Sequence, residues 1–462
     1  MKIVIVGAGI AGLSSYLLLR KHLPNPPLPT EQHEIIVYES HESINKLNPH
    51  DTDTGITLGA TLGVMPNGLK VLQRLDEELV HDIVRNGHVV THMRLKNSRG
   101  WTLAEMRNAG DQQPPLNCVM IQRQTFWSLI RARVPSDVLV NKKVSGVETR
   151  TEGGVTVRFA DDSPDVVADL VIGADGLKSV VRKSLFKDER EDLCSPHFSG
   201  LLGVEGRIPS TLIREECPDG IACMVFGHNG FMGYSYDTTA EDAENRHLPS
   251  SAHQPGEEGF WWSTHETTEH ENWLSVDIEA TERELHERLG EWKDPAVQKI
   301  LQSAEIKRLY PTYTTPILPT WHRGSAVLVG DAAHTLHSTS GQGSSQALED
   351  VEALSSLLSH YLQTAYTASN RAQAPTETEA IGISAKLYEN IRMPRIKHIV
   401  DSVAVQVNQK RTVSVPVSWV RYFFLWFIGK LGFMDNQAKF ILDYDTQTEV
   451  EKAIKSYEET KT

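Results

Sequence analysis

The first forty residues alternate between apolar runs and breaks in a βαβ pattern. "KIVIV" (residues 2–6) is a short apolar strand, "GAGIAG" a glycine turn and "LSSYLLLRKHL" a helix. Four prolines in "PNPPLPTEQ" impose a loop, and "EIIVYE" is a second strand ending at Glu39. Leu69, Leu72, Leu75 and Leu79 fall at helical spacing in "MPNGLKVLQRLDEELVHDIV", which predicts one helix over 65–84. A further helix, "TFWSLIRARV", follows Arg123. "VLVNKKVSGVETR", "GVTVRFADD" and "VVADLVIGADG" read as three strands, turning at Gly153-Gly154 and at Asp161-Asp162. From Ser195 to Glu305 short β-like runs ("FSGLLGVEGRI", "ACMVFG", "FMGYSYD", "FWWSTHE") alternate with polar loops, a separate sheet unit. "SAVLVGDAAH" returns to α/β texture. The helix after it carries Ala347, Val351, Leu354, Leu358 and Leu362 on one face.

At 462 residues the chain is long enough for two or three packed units. A formal net charge of −14 argues against nucleic acid as a partner, because phosphate binding needs a basic surface. Cys118, Cys194, Cys217 and Cys223 form no CxxC pair and match no zinc spacing, so they read as reduced intracellular thiols. The amino-terminal run lacks the pattern of a signal peptide. No stretch reaches 18 uninterrupted apolar residues; "VPVSWVRYFFLWFIGKLGFM" is interrupted by Arg421 and Lys430. The expected location is cytoplasmic, with peripheral membrane attachment as the alternative.

Three motifs carry chemistry. In the first, Gly7 permits a tight turn, Gly9 admits a pyrophosphate to the backbone, and Gly12 lets helix and strand approach. The helix N-terminus then offers free N–H groups to the phosphates, and Glu39, at the end of the second strand, suits a ribose hydroxyl. The second motif, "DLVIGADGLKSVVR", leads an apolar strand into Asp175, followed by a Ser and an Arg. The third, "GDAAHTLHSTSGQG", ends a strand at Asp331 and starts a helix whose N–H groups, at Gly341 to Ser344, face any negative group. Asp331, His334 and His337 lack the common register that a metal site needs, so no metal is expected.

In this order the motifs resemble the group A FAD-dependent aromatic hydroxylases, relatives of p-hydroxybenzoate and salicylate hydroxylases. "GATLGVMPNGLKVL", "IQRQTFWSLI" and "LYPTYTTPILPTWHRG" are similar to the family's connecting blocks, and "FMGYSY", "WWS" and "FFLWFIGKLGFM" to fungal secondary-metabolite members. The resemblance covers roughly residues 1 to 360. It implies an α/β fold: a Rossmann-like FAD-binding domain, an inserted mixed or antiparallel β-sheet substrate domain, and a helical C-terminal tail. The expected division gives 1–80, 121–190 and 306–400 to the cofactor, 81–120 and 191–305 to the substrate, and 401–462 to the tail. Gly7, Gly9, Gly12 and Glu39 would hold the ADP half of FAD, and Arg123 its phosphate and ribityl region. Ala60 joins the cofactor set. Asp175 would lie near FAD and the path of the nicotinamide, and Asp331 would bind a ribityl hydroxyl. Gly341, Gln342, Gly343 and Ser344 would bring a helix dipole to the flavin ring.

The implied reaction is a monooxygenation: NADPH or NADH reduces FAD, O2 adds as a C4a-hydroperoxide, and a small organic molecule is hydroxylated or epoxidised, in secondary metabolism. Two alternatives stand beside it, an FAD oxidoreductase without oxygen insertion and a non-catalytic flavin-binding partner protein. The first is motivated by His337-Ser338, where many relatives carry proline; the turn loses that rigidity, and His337 either donates a hydrogen bond or turns away. At the substrate, Arg207 and Tyr234 are the catalytic candidates, since a cation and a phenol from sheet strands suit a phenolate or ketone. Tyr236 shares a strand face with Tyr234, and the pair Trp261-Trp262 reads as core. The aromatic tail is expected to pack against protein in preference to a membrane interface.

Overall fold

The apolar run at the amino terminus forms the centre of a six-stranded sheet in the computed structural model, which describes residues 1–27, 32–41, 61–189, 194–269, 277–303, 305–367 and 375–460, with backbone alone at 404–409 and 433–437. The strand order is β18 (His322–Arg323), β19 (Ala326–Leu328), β12 (Leu170–Gly173), β1 (Lys2–Val6), β2 (Glu34–Glu39), β8 (Leu139–Asn141). All neighbours are parallel except β18–β19. Ile3, Val4 and Ile5 are wholly buried, because both faces of the sheet are covered. One cover includes α1 (Ile10–His22) and α10 (Gly343–Thr367), with α11 (Glu377–Gln409) and α14 (Thr446–Glu459) packed on α10. A meander of β9 (Val144–Thr149), β10 (Val155–Phe159) and β11 (Val166–Ala168) joins the same core, Phe159 meeting Tyr38 edge-on.

The second large sheet has seven strands in the order β17 (Glu305–Thr314), β13 (His197–Pro209), β16 (Glu258–Glu266), β15 (Phe231–Tyr236), β14 (Ile221–Phe226), β5 (His92–Asn97), β6 (Thr102–Arg107). It is mixed, since β14 and β5 run parallel and the other pairs antiparallel. On one face Tyr234, Tyr236 and Trp261 pack with α6 (Ser210–Ile213), α7 (Ile278–Leu289) and α8 (Pro295–Ser303). Between the two large sheets lies a small one, β3 (Thr61–Val64), β7 (Cys118–Gln122), β4 (His88–Val90), flanked by α2 (Pro66–Leu75), α3 (Glu77–Asn86) and α4 (Arg123–Arg131). The remaining helices are α5 (Val180–Leu185), α9 (Asp331–His334), α12 (Val415–Lys430) and α13 (Phe433–Leu442).

Four local expectations change. The helix predicted over 65–84 is two, because Asp76 leaves helical geometry and its carboxylate caps the second through Glu78 N (3.1 Å). "VLVNKKVSGVETR" is two strands in different sheets, β8 beside β2 and β9 in the meander. Helices α7 and α8 lie inside the segment read as strands and loops; α7 buries only Thr281, Leu285 and Leu289, a stripe too thin to stand out. The tail helix α12 buries only Ser418 and Tyr422, so the expected protein packing holds for one edge alone.

Candidate functional site

The three glycines of the first turn behave differently. Gly7 has φ +99°, and a Cβ there would lie 2.6 Å from Ala174 O. At Gly12 a Cβ would lie 1.9 Å from Gly7 O, so helix and turn approach to backbone contact. Gly9 has open space around the same position, and α1 begins there with no side-chain cap and no acidic residue in its first turn. An uncapped 13-residue helix behind an unfilled backbone surface fits a pyrophosphate. Glu39 is set at its edge: Oε2 accepts Ala8 N (2.8 Å), while Oε1 accepts His41 N (3.0 Å) and the Ser40 hydroxyl (3.1 Å). Two carboxylate oxygens offer about four acceptor sites, so capacity for a ribose hydroxyl remains. Trp127 on α4 donates to Ala8 O (2.7 Å) and pins the turn to the block that begins at Arg123. Arg123 is exposed and has no partner among the described residues. Ala60 lies outside the described residues.

The second and third motifs are tied together. Asp175 accepts the Ser179 hydroxyl (2.5 Å), Val180 N (2.7 Å) and Val181 N (3.1 Å), so its carboxylate holds the start of α5; burial pushes its pKa up against those bonds. Arg182, fully buried, reaches from α5 to Ala332 O (2.9 Å) and Asp331 O (3.3 Å), and its other nitrogens hold Cys194 O (3.1 Å) and Leu177 O. The Asp331 carboxylate accepts no hydrogen bond among the described residues, and the Arg182 charge lies within electrostatic reach of it. Gly330, at φ +58°, sits with its missing Cβ 3.1 Å from Ala347 and 3.2 Å from Ala11, between α10 and α1.

Behind this turn lies a buried charge network. His334 Nε2 meets Asp350 Oδ2 at 2.5 Å, and the same oxygen accepts Gly330 N (2.9 Å). Arg392 bridges Asp350 (2.8 Å) and Glu349, and Arg395 holds Glu349 at 2.7 and 2.8 Å. Asn67 donates to Glu349 (2.6 Å) and to Gln342 (3.1 Å), so the Gln342 side chain is spent inside the network. His334 is thereby architectural. Among the described residues no group of three His, Cys, Asp or Glu could hold a metal ion.

The turn itself is ordered without proline. His337 Nδ1 accepts Thr339 N (3.1 Å), Ser340 N bonds His337 O (2.9 Å), and Gly341 takes φ +59°. Burial, with Lys410 and Arg411 nearby, pushes the His337 pKa down to about 4, so the ring is neutral, and its buried Nε2 has no hydrogen-bond partner among the described residues. A Cβ on Gly341 would lie 3.2 Å from Met65 Cε, whereas Gly343, at the start of α10, has open space. Ser344 reaches back to Gly63 O (3.5 Å).

The seven-stranded sheet separates the substrate candidates. Tyr234 faces α8, fully buried, with Lys96 donating to its hydroxyl (3.0 Å) and Asp294 at 3.4 Å; it belongs to the core away from the turn. Tyr236 and Trp261 share that face, whereas Trp262 does not. Arg207 lies on the opposite face, where Phe260 and Trp262 pack with Met65 and Met120. It is paired with Asp237 (2.7 Å), whose other oxygen accepts the Thr61 hydroxyl (2.6 Å). Glu205 beside it accepts Thr61 N (3.1 and 3.2 Å), and burial pushes its pKa up to about 7. Sequence reasoning passed over Lys410, whose ammonium sits 4.0 Å above the Phe231 ring, buried, with no carboxylate partner among the described residues. Nothing in the sequence around Lys410 marks it. Arg392 and Arg395 were legible only as an i, i+3 pair beside Pro394.

Residues 62–376 match the family model described as FAD binding domain. The 6-hydroxynicotinate 3-monooxygenase of Pseudomonas fluorescens is 25% identical over 393 residues, covering 82% of this chain and 90% of that protein. The FAD-dependent monooxygenase penE of Penicillium thymicola is 25% identical over 408 residues, 86% of this chain and 76% of its own. In fold, a salicylate hydroxylase in complex with substrate superposes with a TM-score of 0.73 at 20% identity, covering 98% of each chain. HpxO of Klebsiella pneumoniae, complexed with FAD and uric acid, superposes with a TM-score of 0.66 at 18% identity and 92% coverage of each. By its match to that family model over most of its length, the chain belongs to the FAD-binding-domain family of flavin-dependent monooxygenases, and FAD is its cofactor.

Proposed function

We propose that this enzyme is a monooxygenase that takes electrons from NADPH or NADH and transfers one oxygen atom of O2 to a small aromatic, terpenoid or alkaloid-like molecule, by hydroxylation or epoxidation, in secondary metabolism. The observation that carries the reading is the juxtaposition of the turn at His337–Gly343 with an aromatic sheet face of Phe231, Phe260 and Trp262. Bound FAD supplies the two-electron chemistry and the activation of O2. Gly9 and α1 would hold the pyrophosphate, with Gly7 and Gly12 shaping the turn; Glu39 would bind the ribose of the ADP half, Arg123 the phosphate and ribityl region, and Asp331 a ribityl hydroxyl. The start of α10, at Gly343 and Ser344, would direct its positive dipole at the ring; the expected share of Gly341 and Gln342 falls away, because Gly341 N bonds Ser338 O (3.1 Å) and Gln342 N bonds the Ser340 hydroxyl (3.1 Å). Asp175 and Arg182 act as positioning residues through their bonds to α5 and to the turn. On this reading 1–80, 121–190 and 306–400 serve the cofactor, and 81–120 with 191–305 the substrate.

Lys410, poised by burial with a pKa of about 7, meets an acceptor oxygen of the substrate, while Arg207 stays paired with Asp237 at the edge of the same face. The rival reading, an oxidoreductase that inserts no oxygen, rests on the loss of the turn proline. The Thr339 N to His337 Nδ1 bond favours the monooxygenase by restoring order to that turn. The test is turnover of holoenzyme with NADPH under isotopically labelled O2, against a panel of phenols, indoles and prenylated aromatics. One labelled atom in the product is expected; product without label, or flavin that NADPH and NADH leave oxidised, overturns the proposal.

A further inference from the structure

Helix α12 presents an apolar surface to solvent. Among the described residues, ten of the fifteen large hydrophobic side chains that are exposed fall between Val415 and Leu431. Trp419, Phe423, Phe424, Trp426 and Phe427 are each 41–58% exposed, and Trp101, on the turn between β5 and β6, extends the patch by packing edge-on against Trp419 (6.0 Å). Soluble proteins seldom leave so large a contiguous apolar area uncovered.

The helix is fixed along the body of the protein. The Tyr422 hydroxyl donates to Phe226 O (3.0 Å), and Gly429 approaches β6 so closely that a Cβ would lie 2.5 Å from that of Ala104. Its 16 residues span roughly 24 Å, short of the ~30 Å hydrocarbon core of a bilayer. Among the described residues no helix is long and apolar enough to cross a membrane. Held by one edge, α12 can only lie flat on whatever covers it.

Charge and composition select the occupant. From Thr412 to Met434 the chain carries no acidic residue, although the whole protein has a formal charge of −14. Exposed cations stand at both ends of the patch: Arg99, its guanidinium over Trp101 (5.9 Å) and Trp419 (5.5 Å), and Lys430 at the last turn. A two-fold dimer through this face would set the patch against itself, cations included. Phosphate headgroups complement those cations, and tryptophan and phenylalanine suit the headgroup–acyl boundary. We propose that α12 and the Trp101 turn form a docking face for an anionic phospholipid surface, on which the enzyme rests as a peripheral protein.

The test uses FAD-loaded enzyme and flotation with vesicles of phosphatidylcholine alone or with about one-third phosphatidylserine. Wild type is expected to float with the anionic vesicles and at least tenfold less with neutral ones. Phe423→Glu/Phe424→Glu is expected to lose flotation by at least tenfold while retaining flavin and the oligomeric state of wild type in gel filtration. Wild type that stays in the dense fractions with anionic vesicles, or floats equally with both, overturns the proposal. So does a wild-type dimer that this double substitution converts to monomer, since the occupant is then a second copy of the chain. These readouts need no turnover, so they stand or fall apart from the proposed reaction.

Discussion

Arg392→Met tests whether the buried network behind the turn holds the cofactor site together. Arg392, Glu349 and Asp350 are all wholly buried. Burial opposes the charge on both carboxylates. Arg392 and Arg395 more than offset it for Glu349, and His334 and Arg392 for Asp350, so both stay below the usual carboxylate range. Removing one partner of a buried ion pair costs about 3–5 kcal/mol, because the charge left behind has no solvent. Arg395 and His334 remain in place, which sets the expectation at the lower end, about 3 kcal/mol, or roughly 6 °C in melting temperature for a unit of half the chain's length. Asp350 also accepts Gly330 N (2.9 Å), and Gly330 sits between α1 and α10, so loosening here reaches the turn at Asp331. Melting followed by flavin fluorescence is therefore expected to fall with melting followed by circular dichroism. The deficit has a pH signature. With Arg392 gone the folded-state pKa values of Glu349 and Asp350 rise, so protonation relieves the stranded charge and the gap from wild type narrows as pH falls from 8 toward 5. Adding Glu349→Gln to Arg392→Met is expected to recover part of the loss. A single variant that melts within about 2 °C of wild type, or a gap that widens on acidification, refutes the reasoning.

Gly9→Leu is expected to fold with near-wild-type ellipticity yet retain at least tenfold less FAD, whereas Gly12→Ala, blocked by Gly7 O at 1.9 Å, is expected to lose soluble protein; equal flavin content in Gly9→Leu and wild type counts against the phosphate cradle. Tyr234→Phe is expected to cost about 1 kcal/mol through its lost buried hydrogen bonds while leaving kcat and KM within twofold, measured by urea melts and steady-state NADPH oxidation. His337 titrates near 4 in the folded protein against 6.5 when free, so unfolding takes up a proton in that window and stability falls as pH drops through it, by at most about 3 kcal/mol; His337→Asn, which keeps an acceptor for Thr339 N, should flatten the melting profile between pH 6.5 and 4. Lys410, at about 7 against 10.5, destabilises fully below pH 7 and progressively less up to 10.5. Lys410→Met should therefore stabilise by up to about 4 kcal/mol at pH 7, a gain that fades above pH 10, while KM for the substrate rises at least tenfold.

The parts of the site that were legible are those whose chemistry lies within a few residues along the chain. Gly7, Gly9 and Gly12 lie against one another and the strand beside them, so their spacing could be read locally, and the structure leaves two of the positions closed and one open. The same locality made the strand ending at Asp331 and the helix after Gly343 readable. The 33-residue helix α11 was not, because Pro394 inside it signals a break and its apolar periodicity is weak. With α11 went Arg392 and Arg395, whose meaning depends on Glu349 and Asp350 some forty residues away.

Tyr234 shows the complementary failure. Period 2 correctly puts Tyr234 and Tyr236 on one face, but alternation says nothing of which face meets the cofactor domain. That choice is made by α7 and α8, which cover one side of the sheet and leave the other to Arg207, Phe260 and Trp262. The sheet face is therefore a property of two helices that the sequence shows only faintly. Lys410 is the extreme case: its interest rests on the absence of a nearby carboxylate among the described residues, and only assembled neighbours reveal that. Backbone shape can be read from order along the chain, whereas an unmatched charge needs the fold to show what is missing around it.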